Sequence, residues 1–194
     1  MYVYREDRPE QEDVLDLKMM TRAALMAAFT AVAAQITIPI EPVPFTFQVL
    51  AVVLTGFLLG PRFGALAQAI YVLLGAIGVP VFAGFKGGLG ILFGDTGGYL
   101  LAYPIAAAIA GFAAHSAVNA PRRRALWTCV VWGVVSLVVI YALGAAWLSV
   151  LVQLPIAVAV AQGVLPFVAF DLIKVGLAAT VATAAAPAIA PARA

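Results

Sequence analysis

The sequence predicts an all-α integral membrane protein: a bundle of six transmembrane helices with its N- and C-termini in the cytosol. Three observations predict it. First, the chain of 194 residues is 64% hydrophobic and only 10% charged, where soluble domains carry about 25% charged residues. A water-facing surface cannot be built from that inventory, so a lipid bilayer must solvate most of it. Second, the apolar residues fall into six segments divided by turn-forming or charged stretches. Third, an inside N-terminus places Arg5, Arg8, Lys18, Arg22, Arg62, Arg122, Arg123, Arg124 and Arg193 on the cytoplasmic side. That is nine of the eleven basic residues; only Lys86 falls outside, and Lys174 lies within the last segment. The excess of basic residues inside selects this orientation and this span count.

Residues 1–18 read as a cytosolic tail. The first 22 residues hold six acidic residues and no apolar core, so they do not form a secretory signal. A full span needs about 20 apolar residues. The first segment, 19–40, meets this if Arg22 snorkels to the interface. Within it, "AALMAAFTAVAA" aligns Ala23, Ala27 and Ala31 at four-residue spacing. Small residues so placed let helices approach closely in lipid. The stripe is a candidate docking surface for another membrane protein, with packing inside this chain as the alternative. "PIEPVP" ends the segment. The second, 46–60, "TFQVLAVVLTGFLLG", is short, so it is tilted or begins in a loop shielded by protein. "GPRFG" separates it from the third, 63–83, and "GFKGGLG" follows. The fourth covers 96–118. "NAPRRR" leads to the fifth, 126–150. The stretch 151–165, "LVQLPIAVAVAQGVL", reads as a short interfacial helix on the outer side. The sixth segment, 164–186, starts its helix near Pro166, and 187–194 form a short tail. The membrane domain thus spans 19–186.

Composition excludes several classes. A net charge of +2, thinly scattered, does not suit nucleic acid. The single Cys129 and the single His115 give no internal disulfide, no His-rich metal site and no nucleophile–base constellation, so neither an enzyme nor a bound cofactor is expected. No internal repeat is evident, which argues against an inverted-repeat transporter.

The features with chemical content gather on the outer side. Asp171 and Lys174 are the only charges between Arg124 and Arg193, and they stand one helical turn apart on one face. Charges at membrane depth cost about 2.5–3.5 kcal/mol each on insertion scales, so their presence needs a reason. One is a structural ion pair that pins the last helix to its neighbours. The other is a pocket, because a carboxylate accepts N–H bonds and an ammonium donates to a carbonyl. Together they suit a neutral ligand with urea- or amide-like edges. Between Gly84 and Gly98 there are seven glycines. No Lys-Ser/Thr follows them, so this is not a nucleotide loop; it is a tight turn or a place of close backbone approach. Thr96 and Tyr99 are the polar groups there best placed to meet a ligand. Gln48, alone in an apolar run, is either a ligand contact or a satisfied backbone contact. Tyr71, Tyr103, Trp132, Tyr141 and Trp147 either line a cavity or form an aromatic belt, and the belt is the default.

The stretch from "PVPFTFQ" (42–48) through "GFKGGLG" and "GDTGGYL" (94–100), with the late "PFVAFDLIK" (166–174), resembles the BioY family. These are the biotin-specific substrate-binding S components of energy-coupling factor (ECF) transporters. The likeness covers roughly residues 20–182. It departs at Asp95, where the family usually has proline. The resemblance implies a six-helix bundle in the cell (inner) membrane that captures biotin from outside. It implies ligand roles for Asp171 and Lys174, with Gln48, Thr96 and Tyr99 as further contacts. Lys86, the one basic residue expected outside, would meet the biotin carboxylate. Ala23, Ala27 and Ala31 would then dock on a transmembrane coupling (T) subunit. The chain has no ATP site, so ATP-driven uptake requires that subunit and two ATP-binding-cassette ATPases. The remaining alternatives are an S component for another vitamin and an ion- or proton-coupled secondary transporter in which Asp171 titrates.

Overall fold

The computed structural model describes residues 8–189, and their side chains from 16 to 185. The described residues mostly form helices. In order these are α1 (Arg8–Gln35), α2 (Gln48–Ala76), α3 (Leu89–Leu92), α4 (Gly97–Gly111), α5 (Ala114–Asn119), α6 (Arg122–Val152), α7 (Ile156–Gly163) and α8 (Val168–Ile189). Between α1 and α2 the chain forms a two-residue antiparallel ribbon, β1 (Thr37–Ile38) and β2 (Phe45–Thr46), with Thr37 opposite Thr46. The expected tail 1–18 is helical from Arg8 onward, and residues 1–7 and 190–194 of the two tails lie outside the described residues.

The helix α2 is a hairpin of two arms. At Gly60 the backbone leaves the helical region, with φ at 76°, a conformation that costs glycine little. Pro61 then opens the second arm, where a missing N–H removes no helical bond. The arms lie side by side. Gln48 Nε2 donates to the Tyr71 hydroxyl at 2.7 Å, and Gln68 Nε2 donates to Thr55 Oγ1 at 3.2 Å. In a straight helix the first pair would stand about 35 Å apart. The expected second and third segments are therefore the arms Gln48–Leu59 and Pro61–Ala76. The expected fourth segment is interrupted. Phe112 N and Ala113 N bond back to Ile109 O and Ala110 O at 3.2 and 3.0 Å, a tightened turn that ends α4 and lets α5 start on a new axis. Four helical stretches, Asp16–Gln35, Gln48–Ala76, Arg122–Val152 and Val168–Ala185, are long and apolar enough to cross a membrane, and α4 is a shorter apolar helix.

The core runs along the bundle axis between the arms of α2 and the helices α4, α6 and α8, through Val52, Val53, Phe57, Tyr71, Ala106, Ala110, Ile140 and Val175. Large apolar side chains such as Leu25, Val32, Ile77, Val138, Val150 and Ile173 stay more than half exposed, as expected where acyl chains replace water as solvent. The alanine stripe needs correction. Ala23 is 0% and Ala27 2% exposed. Ala23 packs with Leu59 and Ala67 of α2, and Ala31 is half-buried against the main core. The stripe permits close approach, as its spacing predicts, but the helix that approaches is this chain's own α2. The exposed face of α1 carries Ala24, Leu25, Ala28, Phe29 and Val32 instead.

The two ends of the bundle differ in charge. At one end lie the tip of α2 with Arg62, the C-terminus of α4, whose Gly111 sits against Pro61, and the start of α6 with Arg122–Arg124. At the other lie the β1–β2 ribbon, the glycine-rich loop, α7 and the first turn of α8.

Candidate functional site

That second end encloses a cavity of about 340 Å³, within the range of small-molecule sites. Five elements build it, the helices through the face their periodicity turns inward. Asp171 and Lys174 come from α8, with Phe167 just before its first turn, spaced as one face of a helix. Tyr99, Leu100 and Tyr103 come from α4, with Thr96 just before it. Ile140 and Tyr141 enter from α6, and Phe45, Thr46, Gln48 and Val49 from β2 and the first arm of α2. Lys86, Gly94 and Asp95 of the glycine-rich loop complete the wall. Gln48, Lys86, Thr96, Tyr99, Asp171 and Lys174, scattered over 127 residues of chain, thus share one cavity.

The charged pair sits deep. Asp171 is 3% and Lys174 4% exposed, and Lys174 Nζ donates to Asp171 Oδ1 at 2.6 Å. Each has a second partner. Lys174 Nζ donates to the Thr46 carbonyl at 2.6 Å, and the Tyr141 hydroxyl donates to Asp171 Oδ2 at 2.7 Å. The ammonium also stands 3.8 Å from the centroid of the Phe45 ring, where the π face attracts a cation. Both carboxylate oxygens are engaged, each with lone-pair capacity left over.

From Lys174 a chain of hydrogen bonds runs across the cavity wall. Thr46 Oγ1 donates to Gln48 Oε1 at 2.8 Å. Gln48 donates to Tyr71, and Tyr71 donates to the Val81 carbonyl at 3.2 Å. Both ends of the Gln48 amide are therefore spent on side chains of its own chain. The loop after α2 is held from a second side. Gln35, the last residue of α1, accepts from Phe85 N at 2.9 Å and donates to Phe82 O at 3.2 Å. The turn that carries Lys86 is so fixed to both α1 and α2.

Tyr99 fills a slot between two glycines. A Cβ on Gly144 would strike the Tyr99 ring, and one on Gly163 would strike its hydroxyl. That hydroxyl donates to Gly163 O at 3.0 Å, tying α4 to the end of α7. Thr96 precedes α4 without a side-chain cap bond, and its hydroxyl has no hydrogen-bond partner among the described residues. Lys86 and Asp95 are exposed at the cavity mouth.

Three contributors escape sequence reasoning. Tyr141 takes the cavity-lining alternative to an aromatic belt, but its bond to Asp171 has no signal in the sequence, and Trp147 Nε1 holds the glycine-rich loop through Gly94 O at 3.0 Å. The Thr46 carbonyl, as partner of the ammonium, has no side-chain signature at all. A buried carboxylate demands donors, so a hydroxyl partner for Asp171 is foreseeable; which tyrosine supplies it depends on helix packing.

The chain was then compared with known proteins. The family model described as BioY family matches residues 8–191. The biotin transporter BioY of Thermotoga maritima is 43% identical over 166 residues, 86% of this chain and 94% of that protein. The probable biotin transporter BioY of Pyrococcus horikoshii is 42% identical over 165 residues, 85% and 94% of the two chains. Among solved structures, the S component for biotin from an ECF-type ABC transporter superposes with a TM-score of 0.77 at 28% identity, covering 88% of this chain and 91% of that one. On the family match and these identities, the chain belongs to the BioY family.

Proposed function

We propose that the chain binds biotin at the outer face of the cell membrane and delivers it inward as the S component of an ECF-type transporter. The observation that carries the proposal is the buried Asp171–Lys174 pair on the wall of a 340 Å³ cavity, in a chain 43% identical to a biotin transporter. Biotin's ureido group offers two N–H donors and a carbonyl acceptor. Its ring and valeryl chain need an apolar wall, and its carboxylate a cation.

The charges at the two ends of the cavity give an orientation. The ureido group lies inward, beside Asp171, and the carboxylate lies at the mouth, beside Lys86. Thr96 borders the path between them. Gln48 and Tyr99 shape the wall, their polar atoms being held by the chain itself. In the bilayer, α1, the two arms of α2, α4, α6 and α8 make six crossings. The arginine-rich end faces the cytosol, together with both termini, and α7 lies at the outer interface.

Transport driven by ATP requires a T subunit and two ATPases, and the exposed flank of α1 at Ala24 and Ala28 is the side left open for such a contact. The test is equilibrium binding of biotin, thiamine and riboflavin to the purified chain in detergent. Saturable binding of biotin alone is expected. Binding of another vitamin in preference to biotin would refute the assignment.

A further inference from the structure

Almost every polar group deep in the cavity wall is already spent. The hydroxyls of Thr46, Tyr99 and Tyr141 donate to Gln48, Gly163 O and Asp171. Gln48 is bonded at both ends. Lys174 commits two of its three N–H bonds to Thr46 O and Asp171, with the Phe45 ring against the ammonium.

Tyr103 is different. It lines the cavity and is 5% exposed, yet its hydroxyl has no hydrogen-bond partner among the described residues. That hydroxyl is not one of the sealed unpaired side-chain atoms, which among the described residues are Thr37 Oγ1 and Gln68 Oε1, so it opens on the cavity. Tyr103 lies one turn beyond Tyr99 and two turns beyond Thr96 on the same face of α4, about 10 Å further in along the axis. Its ring faces that of Tyr71 at 6.5 Å, and it shares the cavity wall with Tyr99 and Asp171. The unused hydrogen-bonding capacity at this depth is therefore the Tyr103 hydroxyl, spare lone pairs on Asp171 and one N–H of Lys174, all on one cavity wall. An acceptor next to an N–H is the edge of a cyclic urea.

We propose that the Tyr103 hydroxyl donates to the carbonyl oxygen of the bound ureido ring while Asp171 accepts from the neighbouring N–H. This rests on the biotin reading above and deepens it. The group that reads the carbonyl is a neutral phenol, while Lys174 orients Asp171 and ties it to β2.

The test compares the parent chain with Tyr103→Phe, which keeps the ring and removes the donor. Affinities for biotin and for 2-iminobiotin are read at neutral pH by competition against labelled biotin. In 2-iminobiotin a protonated guanidinium replaces the ureido carbonyl, so nothing there accepts from a phenol. Tyr103→Phe should lose about tenfold in biotin affinity and less than about threefold in 2-iminobiotin affinity. The ratio of the two losses does not depend on the folded fraction, so a lowered melting temperature leaves the comparison intact. Undiminished biotin affinity, or equal losses for both ligands, would overturn the role of Tyr103 alone. A parent chain that binds no biotin would overturn the biotin reading, and this inference with it.

Discussion

Replacing Lys174 by Met separates the two roles of the buried pair. The change removes the donors to Asp171 Oδ1 and to Thr46 O and the cation beside Phe45. Asp171, 3% exposed, is left with Tyr141 as its one remaining donor among the described residues. Breaking a buried pair on one side costs about 3–5 kcal/mol, which for about 200 residues lowers the melting temperature by roughly 6–20 °C. Biotin affinity should fall as well. The carboxylate proposed to receive the ureido N–H loses its orientation, and a charge-assisted bond is worth about 1.5–3 kcal/mol, or roughly tenfold to a hundredfold in Kd. The double variant Asp171→Leu/Lys174→Met distinguishes scaffold from site. Apolar replacement of both partners leaves no orphaned charge and is often neutral or stabilising, so most of the melting temperature should return. Biotin affinity should not. The assays are thermal unfolding in detergent and equilibrium binding of labelled biotin on the two singles and the double. A double variant that binds biotin like the parent would refute the reasoning and reduce the pair to scaffold.

Three further outcomes are expected. Tyr141→Phe strips Asp171 of its neutral donor and should weaken biotin by about tenfold with a melting temperature loss under about 6 °C; an unchanged Kd in a binding titration contradicts the role given to this tyrosine. Membrane-impermeant thiol reagent added to intact cells should label Lys86→Cys and spare Arg123→Cys, with little background because Cys129 is buried; the reverse pattern would invert the topology. Ala27→Trp places an indole where 2% of the alanine is exposed and should lower both melting temperature and biotin binding, whereas Ala28→Trp on the open flank should leave binding intact and depress uptake only where a coupling subunit is present. Equal effects of the two substitutions on binding would mean that this face of α1 packs inward as well.

How far the sequence reveals this architecture depends on the range of each interaction. The helical arms are legible because apolar length and Gly/Pro punctuation are local; the hairpin at Gly60–Pro61 follows from "GPRFG", and α7 from the apolar run after Pro155. The Asp171–Lys174 pair is legible for the same reason, as two charges one turn apart within a single helix. What lies across the pair is not. Tyr141 is 30 residues from Asp171, Thr46 is 128 from Lys174, and no periodicity joins them. The alanine stripe shows the limit most plainly. Spacing on α1 reveals a face that a helix can approach, but whether α2 or another protein covers it depends on the packing angle between helices. Gln48 is a similar case. Its solitary polarity marks it as satisfied or functional, and only the folded chain shows that Thr46 and Tyr71 satisfy it.

A cavity lined by charges at membrane depth must be tolerable when no ligand fills it. Here the charges neutralise each other at 2.6 Å, and the leftover donors and acceptors close on Tyr141 and Thr46. The ligand then has no bare ion to neutralise, and it need not break the pair to bind. On the proposed reading it adds bonds at the spare lone pairs of Asp171 and at hydroxyls that have no other partner. Polar groups already tied to one another in this way need little ordering when a ligand binds, so little of that cost is subtracted from the contacts made. The same arrangement makes specificity depend on the outline of the unfilled capacity. A ligand with an N–H beside a carbonyl completes it. One that carries a net charge at that position meets a pair that is already neutral, gains no compensating partner, and gives up its hydration for nothing.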